Sequence, residues 1–203
     1  MKKLVIIGAR AMGREVCTYA QNIGFDVKGF LDDNTDALEE FNGYPPILDS
    51  AENYEVKDND VFIVALGDPK FKRYYAELIM KKGGEFTSIV HPTAFVGRNV
   101  KLGLGCVVCP NTTLTSNIAI GNHVIVNVNS SISHDCNIGD YVTVSPGCHV
   151  AGHCSIADGV FLGVHSALIP DVTIGNSVFV AAGAVVVESV ASGRVMGVPA
   201  KSK

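Results

Sequence analysis

The chain has 203 residues, enough for one or two domains with substantial cores, and at 47 % hydrophobic and 18 % charged it is not a disordered sequence. Its net charge of −4 lacks the basic face that non-specific nucleic-acid binding needs. The longest apolar runs, Leu4–Ile7 and Val61–Leu66, are far too short to span a bilayer, and the first meets Gly8 without a cleavage-type segment, so no signal peptide is expected and a cytoplasmic location is the default.

Residues 1–88 read as one domain. Lys3–Gly8 has the unbroken apolar run of a buried parallel strand. A loop from Gly8 to Gly13 follows, then helical apolar spacing over Arg14–Ile23. Val27–Leu31 is a second strand ending in Asp32-Asp33, and Val61–Leu66 a third, followed by Gly67-Asp68-Pro69 and a helix to about Lys81. Strand, glycine turn, helix and strand in that order predict an α/β Rossmann-like nucleotide-binding domain. Glycines let the backbone approach a phosphate, and a helix N-terminus offers free N–H groups. The pattern is G-x-x-x-x-G, without the middle glycine of the dinucleotide fingerprint, and about 90 residues leave no room for a full dinucleotide fold. Gly8, Arg10, Met12, Gly13, Asp32, Asp33, Gly67 and Lys72 are the candidate nucleotide-sugar contacts, the acidic pair lying where a ribose hydroxyl would bind.

Residues 89–203 carry a strict period of six. Every sixth residue from Val96 to Val186 is aliphatic, sixteen positions without an insertion. Two residues before each there is usually a small or β-branched residue, as at Ala94, Cys106, Thr112, Val124, Ser130, Cys136, Cys148 and Cys154. This predicts a hexapeptide-repeat parallel β-helix, three hexapeptides to a triangular coil. Four of the six cysteines share one phase of the repeat, so Cys106-Val-Val-Cys109 reads as part of the core rather than as half of a zinc or redox motif.

The hexapeptides, the closing Gly197-Val-Pro-Ala-Lys201, and the Gly8–Gly13 and Asp32-Asp33 segments together make the whole chain similar to the bacterial sugar O-/N-acyltransferases. These include the sialic acid O-acetyltransferase-like proteins and the UDP-4-amino-sugar N-acetyltransferases. The resemblance implies a left-handed β-helix, a homotrimer, and acetyl-CoA as co-substrate lying between neighbouring β-helices; no metal is expected.

Residues 18 apart should stack at about 4.8 Å, the spacing of neighbouring strands. One column then holds Ser116, His134, Gly152 and Pro170, and the next Asn117, Asp135, His153 and Asp171. His134 follows the inward Ile132 by two and points outward. Acyl transfer needs a base, a carboxylate to fix the base's tautomer, and an N–H to meet the oxyanion. His134, Asp135 and Gly152 can supply these, and the resemblance assigns them the same roles. Backbone groups at Ala181, Ala182 and Gly183, at Gly152, and at Gly197, Pro199 and Lys201 are the candidates for coenzyme A. Two departures from the family stand out: Thr143, nine residues beyond His134, and Met12, each where relatives often carry histidine. His123, His149, His153 and His165 read as corner or surface residues without a metal-ligand spacing, which speaks against a metal-dependent carbonic anhydrase on the same scaffold. The sequence therefore predicts acetyl transfer to a nucleotide-linked amino sugar, with a sialic acid or nonulosonate O-acetyltransferase, or a non-catalytic nucleotide-binding scaffold, as the alternatives.

Overall fold

In the computed structural model, residues 2–199, 201 and 202 are described. The chain forms two compact units, Met1–Ile89 and Val90–Lys203.

The first unit is a small parallel α/β sheet. Its elements in chain order are β1 (Lys3–Ile7), α1 (Ala11–Asn22), β2 (Val27–Leu31), β3 (Ile47–Asp49), β4 (Asp60–Val64) and α2 (Pro69–Lys81). The strands lie in the order β3-β2-β1-β4, all parallel. Nearly all of β1 and all of β4 are buried, as their apolar runs demand. The chain leaves β1 toward β2 on one side and returns to β4 on the other. The carboxyl ends of β1 and β4 therefore diverge, and such a switch point is where parallel α/β sheets hold ligands.

The glycine loop is shorter than the sequence reading. Helix α1 begins at Ala11 rather than Arg14, so Met12 and Gly13 belong to its first turn. The reason is contact: a Cβ on Gly13 would lie 1.9 Å from the Gly8 carbonyl oxygen, so glycine lets the helix cross β1's end closely. Gly8 itself has φ +97°, which L side chains rarely adopt. At α2, Asp68 accepts from the N–H groups of Lys70 (2.8 Å) and Phe71 (3.4 Å), with Pro69 at the first helical position.

The second unit is a parallel β-helix of two-residue strands on three faces. One face carries Lys101–Leu102, Ala119–Ile120, Asn137–Ile138, Ser155–Ile156 and Thr173–Ile174; the next Val107–Val108, Ile125–Val126, Thr143–Val144, Phe161–Leu162 and Phe179–Val180; the third Phe95–Val96, Thr113–Leu114, Ser131–Ile132, His149–Val150, Ala167–Leu168 and Val185–Val186. Partners are 18 residues apart, as in Ser131↔His149 and Ile132↔Val150. Each of the sixteen periodic aliphatics is the second residue of a strand, and those from Leu114 onward are buried in one continuous core. Val96, in the first coil, is 39 % exposed.

Two regularities fix the corners. Every sixth residue from Asn99 to Gly183 has φ between +54° and +70°. Asn, Asp, Gly and His fill most of these positions because they tolerate the left-handed conformation. The small inner position is also more than small. Cys106 Sγ donates to Gly121 O (3.1 Å), Cys136 Sγ to Ala151 O (3.2 Å), Ser130 Oγ to Ser145 O (2.9 Å) and Thr112 Oγ1 to Asn127 O (3.2 Å). Read from sequence as small or β-branched, these residues share an S–H or O–H that satisfies a carbonyl of the next coil.

Candidate functional site

The corner between the strands Ser131–Ile132 and Asn137–Ile138 carries His134 and Asp135. Asp135 occupies the left-handed position (φ +60°), its N–H held by Ser116 O at 3.1 Å. His134, one residue earlier, turns its ring outward and is about half exposed. The His134 Nδ1–H donates to Asp135 Oδ2 at 2.8 Å. With Nδ1 protonated, Nε2 carries the lone pair and can take a proton. The other carboxylate oxygen, Oδ1, accepts from Asn117 Nδ2 (3.2 Å), and Asn117 Oδ1 accepts from Asn99 Nδ2 (2.9 Å). The His134 hydrogen bond acts most strongly on the Asp135 carboxyl; desolvation opposes it, but with the Asn117 hydrogen bond and the nearby His153 added the carboxyl is held below its usual range.

Gly152 stacks on His134 as the 18-residue column requires, but the space beside it is filled. A Cβ there would lie 2.6 Å from His134 Cε1 and 2.8 Å from Nε2. Its φ is not in the left-handed region, so the glycine is required by the ring lying against it and not by the backbone. Among the described residues its N–H donates no hydrogen bond.

The other histidines separate by context. His153 Nε2 lies 3.8 Å from Asp135 Oδ2, and its ring stands edge-on to His134 with centroids 5.2 Å apart. His123 is buried (3 %), not on the surface, and stacks on Tyr141 at 5.2 Å. His149 pairs with Ser131 Oγ at 2.9 Å, and His165 lies against Gly147. Thr143 is buried in its strand on another face, away from the His134 corner.

In the first unit, a cleft of about 450 Å³ opens at the switch point. Gly8, Arg10, Asp32, Asp33 and Gly67 line it, together with residues the sequence reading missed, among them Asn34, Phe71 and Tyr75. Phe71 and Tyr75 are one turn apart on α2, and that i, i+4 aromatic spacing was the available signal. Asp32 Oδ2 accepts from Ala9 N–H (2.8 Å), bracing the glycine loop, and Asp33 Oδ2 accepts from the Tyr75 hydroxyl (2.9 Å). Burial, then the bond to Asp33, raises the Tyr75 hydroxyl well above its usual value, so it stays a donor. Helix α1 starts at the cleft with no side-chain cap and no acid in its first turn, leaving its N–H groups and Arg10 to an anion. Three sequence candidates do not line the cleft: Gly13 serves packing, Met12 is half-buried on α1, and Lys72 is fully buried on the inner side of α2.

At the coenzyme candidates, the N–H groups of Ala181 and Gly183 are already donated to Val195 O (2.9 Å) and Val164 O (2.8 Å). Ala182, exposed at the corner between them, keeps its N–H free among the described residues. Gly197 and Pro199 are exposed, while the side chain of Lys201 lies outside the described residues. No helix among the described residues is long and apolar enough to cross a membrane.

Residues 3–79 match the family described as the PglD N-terminal domain. The acetyltransferase domain of PglB from Neisseria gonorrhoeae FA1090 is 30 % identical over 100 % of both chains, with a TM-score of 0.92, and its structure has also been solved in complex with acetyl coenzyme A. PerB from Caulobacter crescentus, solved in complex with CoA and GDP-perosamine, is 28 % identical over 100 % of this chain and 98 % of its own (TM-score 0.92). WeeI from Acinetobacter baumannii AYE is 30 % identical over 99 % of each (TM-score 0.87). Comparison with curated proteins gives no match.

Proposed function

We propose, from the premise that the chain belongs to the hexapeptide-repeat sugar N-acetyltransferase family, that it transfers the acetyl group of acetyl-CoA to the amino group of a UDP-linked 4-amino-4,6-dideoxy sugar. The observation that carries this reading is the His134–Asp135 pair on an exposed corner, with a lone pair at Nε2 and the bare backbone of Gly152 against the ring.

His134 Nε2 accepts the proton that the sugar amine loses as its nitrogen attacks the thioester carbonyl. Asp135 holds the tautomer and favours the imidazolium that forms. The Gly152 N–H meets the oxyanion. As the C–S bond breaks, the imidazolium returns its proton to the departing coenzyme A thiolate, so one proton is taken and one is given. Residues 1–88 act as a Rossmann-like nucleotide-sugar domain, with the phosphates at the start of α1 beside Arg10. Residues 89–203 act as the catalytic domain, a left-handed β-helix in a homotrimer, with coenzyme A contacted at Ala182 and by the Gly197, Pro199 and Lys201 tail. A cytoplasmic reaction fits a co-substrate kept there. A GDP-linked amino sugar is the competing acceptor, favoured by the GDP-perosamine bound to the relative PerB. O-acetylation of a sialic acid or nonulosonate ranks below both, since the relative from Caulobacter crescentus is a perosamine N-acetyltransferase.

The test is thiol release from acetyl-CoA with UDP-, GDP- and dTDP-linked amino sugars and sialic acids, on the native chain and on His134→Ala. Turnover with one amino sugar, reduced at least about a hundredfold in the variant, is expected. Undiminished turnover in the variant overturns the assignment of the base. Turnover with none leaves a nucleotide-binding scaffold.

A further inference from the structure

We propose that His134, Asp135 and His153 form a binding site for a zinc-type divalent ion, and that its occupancy switches the acetyltransferase off. The acyl-transfer chemistry uses one imidazole, yet a second faces the same carboxylate. Asp135 Oδ2 lies 2.8 Å from His134 Nδ1 and 3.8 Å from His153 Nε2. The three side chains offer ligand atoms all within 4.8 Å of one another, in a set that arises from the 18-residue stacking and not from any linear motif.

Two imidazoles and one carboxylate are a donor set zinc takes, with water in the fourth place. Tetrahedral bonds of about 2.0–2.2 Å put neighbouring ligand atoms roughly 3.4 Å apart, between the separations already present. Closing on an ion needs only rotation of exposed rings, since the side chains of His134 and His153 are 55 % and 56 % exposed. The backbone under them is fixed: Asp135 N–H binds Ser116 O and His153 N–H binds His134 O at 3.0 Å. Asn117 supports the carboxylate's other oxygen, as ligating carboxylates usually require.

The consequence for the base follows from proton bookkeeping. In the active tautomer the proton is on Nδ1 and the lone pair on Nε2. An ion on Nδ1 moves that proton to Nε2, and the ring keeps its neutral count but has no lone pair for the amine. The same ion neutralises Asp135. Inhibition therefore needs no change in fold and no displacement of either substrate.

The inhibition rests on His134 as the base; the binding does not, and the experiment separates them. Chelator-treated full chain is titrated with Co²⁺, followed by its visible absorption, and with Zn²⁺ in the thiol-release assay. One Co²⁺ per chain is expected, with the spectrum of nitrogen and oxygen ligands, lost in both His153→Asn and Asp135→Asn. Asparagine is chosen because both corners have φ near +60°, which it tolerates. Zinc should inhibit the native enzyme reversibly on chelation. His153→Asn should turn over within about threefold of native and need more than about tenfold more zinc. Co²⁺ binding undiminished in His153→Asn, thiolate charge-transfer bands, or no binding at all would overturn the site. Absence of turnover with every acceptor would defeat the acetyl-transfer reading, while the cobalt spectrum would still decide the site.

Discussion

Replacing Gly152 with alanine isolates the seat of the base. The new Cβ would stand 2.6 Å from His134 Cε1 and 2.8 Å from Nε2, where ordinary contact begins at 3.4 Å. Restoring contact displaces the ring by roughly 0.8 Å (3.4 less 2.6), and the ring is what yields, being half exposed while the Gly152 backbone is locked by its own carbonyl's bond to Asp171 N–H (3.1 Å). A shift of that order at a reacting group costs about a hundredfold in rate, or roughly 2.7 kcal/mol of barrier. Stability should move the other way or not at all. The φ of Gly152 suits alanine, and a Gly→Ala change at a compatible site stabilises by about 0.4–1 kcal/mol through the unfolded chain. Thiol release from acetyl-CoA gives kcat, and urea melts give stability. The expected result is a hundredfold fall in kcat with stability within about 1 kcal/mol of native, and little further loss when the substitution is made on His134→Ala. Native-like kcat in Gly152→Ala, or a rate loss matched by a loss of folding stability, would refute the reasoning. The six cysteines do not complicate the assay, since all are buried and none is in a disulfide.

Asp135→Asn should fold normally at its left-handed corner but lose the acceptor that fixes the Nδ1–H tautomer, lowering kcat by about 10²–10⁴ with KM for acetyl-CoA unchanged. Arg10→Ala should raise KM for the nucleotide sugar about tenfold with kcat kept, because Arg10 lies at the uncapped start of α1, lining the cleft proposed to hold the phosphates. Asp60 is buried against Lys28 Nζ (2.6 Å) and the Tyr54 hydroxyl (2.7 Å). Burial alone would raise its carboxyl, but the hydrogen bonds from Lys28 and Tyr54 outweigh it and hold it below the usual range. Its contribution is thus present above the unfolded value of about 3.9 and lost as pH falls through the lower folded value. Asp60→Asn should cost about 1.5–3 kcal/mol at neutral pH and remove that acid-side slope, measured by urea melts across pH. Cys136→Ser should be tolerated and Cys136→Val destabilising by about 1–3 kcal/mol, because serine keeps a donor for Ala151 O and valine does not.

The β-helix was legible because its period is local: one inward aliphatic every six residues needs no knowledge of distant partners. The column holding Ser116, His134 and Gly152 followed from the same spacing. The inner Cys, Ser and Thr were harder, because their common property is a donor whose partner lies 15 residues on, in the next coil. In the first unit, three of the four strands were legible, but β3 (Ile47–Asp49) and the side-chain directions were not. Met12, Gly13 and Lys72 sit at plausible places in the sequence, and only the helix phase shows that Lys72 turns inward while Phe71 and Tyr75 line the cleft.

The corner also shows where the information about the site resides. Asp135 alone says little, because its position demands a left-handed residue and other coils answer with Asn117, His153 or Asp171. His134 stands one residue earlier, where no such demand exists and other coils place Arg98, Ser116 or Pro170. Gly152 is likewise not asked for by its own φ. Two residues that the fold leaves undetermined are thus matched to each other, a ring and the bare backbone it lies on. Structural need accounts for the aspartate; it does not account for the histidine and the glycine together, and it is that pairing which points to chemistry.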